Sequence, residues 1–288
     1  MRNAIATRLQ AARAPLATGS VPAAASRAKP GRLMRACAAL GPWIALVAVW
    51  ELAIARGWVQ SSLLPPPSSF LGYAVENNLR LGFGADAMTI PGAIVSSVWR
   101  VLTGMALGFI AAVATGIAIS RSTMVSTAVL PLVRGLAPIA PIAWIPLGIM
   151  LLGVGNATAV FIVFVGVYFL LTLSTVAAVA SVDQRLIKTA RTFGASTRQV
   201  WWSVIFPAVL PQVFTMLRLN FFAAWMAVLA AEMVGLKNGV GMMVILGREM
   251  FNGNLIMLGI CIVGIVGYAV DAFLLFLQRR VLWWQPAR

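Results

Sequence analysis

The chain has no histidine, two cysteines and seven acidic residues among 288. Without histidine there can be no His-containing zinc site, no His-based catalytic triad and no haem held by histidine. Cys37 lies in a basic segment and Cys261 in an apolar run, a distribution that does not make a disulfide framework. No group of residues suggests a metal site. Charge is scarce as well. Charged types make up 10% of the chain, against about 25% in an average soluble protein. Hydrophobic types make up 61% and the mean hydropathy is +0.92. Such a chain cannot cover a water-facing surface with polar groups, which excludes a soluble domain and points to a membrane protein that crosses several times. Twenty-two Lys and Arg against the seven acids give +15. On a soluble chain that excess would suggest nucleic acid. In an apolar chain it marks cytoplasmic loops facing anionic lipid, and no nucleic-acid partner is expected.

The spacing of the charges locates the crossings, each of which needs about 20 apolar residues. Pro42 to Ala55 is apolar apart from Glu51. Val101 to Ser120 is uncharged. The run from Arg134 to Asp183 has no charge between its ends and has room for two crossings, divided by the turn signal Gly153-Val154-Gly155-Asn156. Pro211 to Val234 and Leu255 to Gln278 complete an all-α set of six. Lys and Arg concentrate in the first 40 residues, in the segment holding Arg185, Lys188, Arg191 and Arg198, and in the tail with Arg279, Arg280 and Arg288. Six crossings place all of these on one side, so both termini read as cytoplasmic. Residues 1–40 read as a disordered basic tail, although their Ala, Arg and Ser content is shared with organelle transit peptides. Residues 41–288 read as one transmembrane domain.

Several intramembrane features stand out. Gly104, Gly108, Ala112 and Gly116 recur every fourth residue and form a smooth face for close helix packing. Pro131, Pro138, Pro141 and Pro146 kink or break the third crossing, for simple curvature or to face a water-filled path; Pro138 and Pro141 are the candidates for the path. Arg218 and Glu232 share a crossing but lie about 21 Å apart along the axis, too far to pair. Glu232 reads as facing water at the outer mouth and, with Arg218, is a candidate for the substrate path. Arg218 either snorkels to the cytoplasmic interface or faces a polar path. Asp271 follows Gly264 and Gly267 on a packing face and reads as having a structural partner. Arg100 reads as an interface anchor.

The most informative stretch is Ser181 to Pro211. Ser181-x-x-Gln184 predicts a capping box, a helix over 182–193 and a stop at Gly194. Ser196-x-x-Gln199 predicts a second box. Two short helices joined at a glycine in a positive loop suggest a protein-docking surface, or an amphipathic hairpin on lipid.

Lys188-Thr189-Ala190, then Gly194-Ala195-Ser196, continuing to Phe206-Pro207-Ala208-Val209-Leu210-Pro211, resembles the cytoplasmic loop of permease subunits in binding-protein-dependent ABC importers. Lys188 stands where that family's Glu usually does. Leu63-Leu64-Pro65-Pro66-Pro67-Ser68, Ser96-Ser97-Val98-Trp99-Arg100-Val101-Leu102, Leu217-Arg218-Leu219, Ala231-Glu232-Met233 and the Gly264, Gly267, Asp271 series are similar to the nitrate, sulfonate and taurine permeases. The resemblance implies the six-helix fold of type I importers and two paired copies, most simply a homodimer, around a central path. It also implies a periplasmic solute-binding protein and a cytoplasmic ATPase that grips the loop over 181–206 at Arg185, Lys188, Thr189, Ala190, Arg191, Phe193, Gly194, Ala195 and Ser196. The chain has no Gly-x-x-x-x-Gly-Lys-Ser/Thr loop. ATP and magnesium are therefore expected on the ATPase, with no cofactor on this chain. The expected place is the bacterial inner membrane and the expected cargo a small anion. An ion-coupled secondary carrier remains the alternative, although it needs intramembrane carboxylates that are few here. A membrane-embedded enzyme would lack acid–base groups.

Overall fold

The computed structural model describes residues 32–58, 64–76, 80–81, 88–236 and 238–282. The basic segment 1–31, together with Leu63, Asp86, Lys237 and Arg288, lies outside them. The chain divides into two units, Met1–Trp50 and Glu51–Arg288. In the first, the described residues are helical from Arg32 onward, as part of α1 (Arg32–Ala55), which has Pro42 inside it. That start precedes the expected one at Pro42. The apolar part of α1, Gly41–Ala55, is shorter than the long spans of the second unit.

The second unit is built from helices in chain order. Proline at the head of α2 (Pro67–Glu76) pre-sets the first turn. Ser68 donates to Glu51 at 2.7 Å, which gives that acid a partner. A two-residue antiparallel pair, β1 (Arg80–Leu81) with β2 (Met88–Thr89), leads into α3 (Ile90–Arg121). Thr89 caps α3 by accepting from the Gly92 N–H at 3.2 Å. The helix therefore begins well before Val101, where the charge spacing starts the crossing.

After α4 (Thr123–Leu136) the chain breaks. A 3-10 turn over Pro141–Trp144 opens α5 (Ile145–Leu152), and the two arms are bent by 98°. Prolines at 138, 141 and 146 withhold the N–H groups that a continuous ladder would need, which explains the break. Gly153, with φ +74°, then reverses the chain into α6 (Asn156–Ala180). The turn expected at Gly153–Asn156 is observed.

The small-residue stripe does what its spacing implies. Gly104, Gly108, Ala112 and Gly116 are all buried. A methyl group on Gly104 would lie 2.7 Å from Val163 Cβ, and one on Gly116 would lie 2.6 Å from Thr175 Cβ. The axes of α3 and α6 approach as closely as backbones permit. In a membrane that contact is worth dispersion energy, because lipid supplies no hydrophobic drive between helices. Two short helices, α7 (Gln184–Thr192) and α8 (Thr197–Val200), follow α6. A π-helical turn (Trp201–Ile205) then leads into α9 (Phe206–Gly235), so that 197–235 is one long helix. The π turn accommodates Pro207, which has no N–H for the carbonyl of Ser203. Helices α10 (Val240–Glu249) and α11 (Gly253–Val281) complete the unit.

Each of the six expected segments contains helix among the described residues, the third of them as two arms on either side of the break. Four helices are long and apolar enough to cross a membrane, five if the bent α4–α5 pair is one crossing, with α1 as the shorter apolar helix.

Gly104→Leu and Gly116→Val should each lower stability in detergent by about 1–3 kcal/mol through overpacking. Gly264→Val, where nothing lies within 4 Å, should change the melting temperature little.

Candidate functional site

Two sites are built at opposite ends of the same helices. At one end α6 finishes, and the hairpin of α7 and α8 leads into α9. Asp183, not Ser181, caps α7: its Oδ1 accepts from Arg185 N–H at 2.8 Å. The helix thus starts two residues later than Ser181-x-x-Gln184 predicts. Ser181 instead donates to Ala178 O at 2.8 Å and lies 3.2 Å from Gln212 Oε1. The carboxylate is the better acceptor for the positive end of a helix.

The stop at Gly194 is as expected. Gly194 has φ +81°, its N–H donates to Arg191 O at 2.9 Å, and Ala195 N–H donates to Ala190 O at 3.1 Å. These two bonds make a Schellman cap, which requires the left-handed conformation that glycine adopts without penalty. No atom lies within 4 Å of a Cβ built on Gly194, so backbone conformation and not space selects it. Ser196 and Gln199 exchange both bonds of the predicted capping box, at 3.4 and 2.8 Å.

No residue of α7 is buried. Phe193 is 86% exposed and Leu186 53%, while Ile187 and Ala190 are half-buried. Arg185, Lys188, Thr189, Arg191 and Ser196 are exposed around them. None of these cations pairs with an acid among the described residues. The hairpin is therefore locally rigid, apolar at its centre and basic at its edge. Beside it, Trp201, Ile205, Phe206, Val209 and Val213 face Val113 and Thr175 across an open apolar recess of about 310 Å³ including its mouth.

At the other end the charges differ from expectation. Arg100 is not an interface anchor: it is 1% exposed. Glu232 does not face an outer mouth: it is fully buried and pairs with Arg100 at 2.7 Å. A guanidinium carries five N–H donors, and each has an acceptor here. Nε and Nη2 reach Asn156 Oδ1 at 2.9 and 2.6 Å, Nη1 reaches Glu232 and the Asn238 carbonyl, and Nη2 also reaches Asn238 Oδ1. Ser97 donates to Glu232 Oε1 at 2.6 Å and accepts from Val240 N–H at 2.9 Å. Gly241 N–H donates to Glu232 Oε2 at 2.9 Å. The carboxylate and the serine thereby satisfy the first two N–H groups of α10, at its positive end. Gly239, with φ +124°, is where the Glu232 carboxylate occupies the space of a Cβ.

A second pair joins the long helices nearer the hairpin. Arg218 binds Asp271 through two 2.6 Å bonds, with side-chain exposures of 35% and 13%. Asp271 has the structural partner its packing face implies, while Arg218 meets an acid on α11 instead of snorkelling. Gly267 lies against Trp225, and Gly264 touches nothing within 4 Å. At the break before α5, Pro138 is exposed and Pro141 packs on Gly166.

The chain covers 98% of a subunit in the MetNI methionine ABC transporter, solved in inward-facing conformations, at TM-score 0.56 and 16% identity over 68% of this chain, which is a likeness of fold. Residues 104–283 match the binding-protein-dependent transport system inner membrane component, and the chain belongs to that family. It is 28% identical to the taurine transport system permease protein TauC of Escherichia coli over 85% of this chain and 88% of that one. It is 29% identical to the nitrate import permease protein NrtB of Synechocystis (82% and 86% covered), and 28% identical to the putative aliphatic sulfonates transport permease protein SsuC of Bacillus subtilis (93% and 96%). The chain is thus the membrane subunit of an ABC importer, which works with an ATPase and a solute-binding protein, and not itself an enzyme.

The Ser96–Leu102 and Ala231–Met233 segments both carry the family resemblance, but nothing in the sequence pairs Arg100 with Glu232. The Gly239-Val240-Gly241 run is the local sign of a close approach there, since both glycines lie against Glu232.

Glu232→Ala should destabilise the protein by about 3–5 kcal/mol, because it strands a buried guanidinium. Thermal unfolding in detergent should show a smaller loss for the double variant Arg100→Met/Glu232→Leu than for the single one.

Proposed function

We propose that this chain carries a small anion of the nitrate, sulfonate or taurine kind across the bacterial inner membrane, after its delivery by a periplasmic binding protein. The relatives named for taurine, nitrate and aliphatic sulfonates support that class of cargo. Both termini are cytoplasmic in this reading, because the basic clusters fall on one side. Two copies pair around the path. Each hairpin over 181–206 seats in a groove of a cytoplasmic ATPase, which binds the ATP and magnesium.

The observation that carries this reading is the exposure of Phe193 on a rigid, capped helix that offers no partner of its own. A buried aromatic would anchor the contact, and Arg185, Lys188 and Arg191 would steer the encounter from the rim. Closure of the ATPase would move α7 as a unit, because its two caps fix it to α6 and α8. Along the path, Arg218 is the group offered to an anion, since a third of it is open beside Asp271. The break at Pro138 and Pro141 supplies the non-helical backbone that such a path tolerates. Glu232 belongs to the closed end and not to the path.

Gly194→Val puts a β-branched residue at φ +81°, a left-handed conformation that costs non-glycine residues about 1–2 kcal/mol. Uptake should fall at least about tenfold and the ATPase should co-purify poorly, with membrane levels unchanged. Gly194→Asn should retain most of both, since asparagine tolerates that conformation. Full uptake and full association in the valine variant would remove the hairpin from the mechanism.

A further inference from the structure

The Schellman cap occurs three times among the described residues, at the end of α1 with Gly57 as its left-handed residue, at the hairpin and at the end of α10. At the hairpin its left-handed residue is Gly194. At the end of α10 it is Phe251, the only non-glycine residue with positive φ (+53°) among those described. Phe251 N–H donates to Arg248 O at 3.2 Å and Asn252 N–H donates to Gly247 O at 2.8 Å, the same two bonds. The corner is rigid on both sides. Asn252 caps α11 by accepting from Leu255 N–H at 3.2 Å. Gly247 packs so closely on α11 that a methyl there would lie 2.8 Å from Ile256 N. At its other end α10 is tied to buried Glu232 and Ser97 through its first two N–H groups.

A strained residue needs a reason, and the backbone gives none here, since glycine would fit better. Nor does the core give one: the Phe251 ring is 96% exposed. Its neighbours Arg248, Glu249 and Met250 are exposed too. An aromatic beside one arginine and one glutamate, on a pre-organised corner, has the composition of a protein contact. Membrane-interface anchors are characteristically Trp and Tyr. The corner lies at the ends of α3, α6 and α9 that are remote from the ATPase hairpin, and the family to which the chain belongs depends on a binding protein.

We infer that Arg248–Phe251 is where the solute-binding protein docks, with Phe251 as its anchor on the permease. The inference rests on the orientation proposed above. Reconstitute the permease with its ATPase in proteoliposomes and titrate the solute-binding protein that supports its uptake. Phe251→Ala and Phe251→Gly should both raise the half-saturating binding-protein concentration about tenfold, with the maximal rate recovered at high concentration. The glycine variant relieves the backbone strain, so a shift there reports the lost ring and not misfolding. A photoreactive p-benzoylphenylalanine at position 251 should cross-link that binding protein. Cross-linking to a second permease copy or to lipid instead, or an unmoved half-saturation in the glycine variant, would overturn the contact. Phe251→Cys in a Cys37→Ser/Cys261→Ser background should react with an impermeant thiol reagent from outside. Reaction only from the cytoplasmic side would bring down the orientation itself, a failure distinct from loss of the contact.

Discussion

A guanidinium taken out of water must have every donor met, and Arg100 meets that demand by drawing four parts of the chain together. Its acceptors come from the first residue of α6, from Glu232 near the end of α9, and from Asn238 in the turn before α10. Removing any one leaves charge or N–H groups stranded in a low-dielectric interior, where a solvated alternative does not exist. That requirement makes the remote end of the bundle a fixed point. Glu232 extends it one step further by capping α10, so the short helix inherits the rigidity of the pair.

The opposite end has the reverse character. Helix α7 buries nothing of its own, the hairpin's cations lack acidic partners among the described residues, and an apolar recess separates α9 from α3 and α6 beside it. Yet its backbone is as tightly specified as any part of the chain, by Asp183, the Schellman cap at Gly194 and the Ser196–Gln199 box. Rigid backbone with uncommitted side chains is what a docking element needs: little ordering entropy is lost on binding, and the apolar area is still available to the partner. Between the two ends the glycine stripe joins α3 to α6, so a displacement applied at the hairpin meets a paired strut and not a lone helix.

Local chemistry was the legible part of the sequence. The stripe at Gly104 to Gly116, the turn at Gly153–Asn156, the stop at Gly194 and the second capping box all depend on residues within a few positions of one another, and all are observed. Asp271 was correctly placed on a packing face by its spacing from Gly267, whereas Gly264, read as part of the same face, is exposed and packs on nothing within 4 Å. The charge pairs were not legible, because Arg100 and Glu232 are 132 positions apart and no periodicity links them. Their separate readings as an anchor and a mouth residue followed from position along a helix, which says how deep a group sits but not what faces it. Ser181 failed as a cap for a simpler reason: an aspartate two residues on competes for the same N–H groups and carries a full charge. Phe251 left no trace, since the left-handed position after a helix is signalled by glycine or asparagine.

Hydrogen exchange on the permease, alone and with its ATPase bound, tests this division of the molecule most directly. Amides of 184–200, held by local helical bonds on an exposed hairpin, should exchange faster than Val240 and Gly241 in the free permease and gain protection when the ATPase binds, while Val240 and Gly241 stay protected in both states. Equal exchange at the hairpin with and without the ATPase, or Val240 and Gly241 opening as readily as the hairpin, would contradict the account.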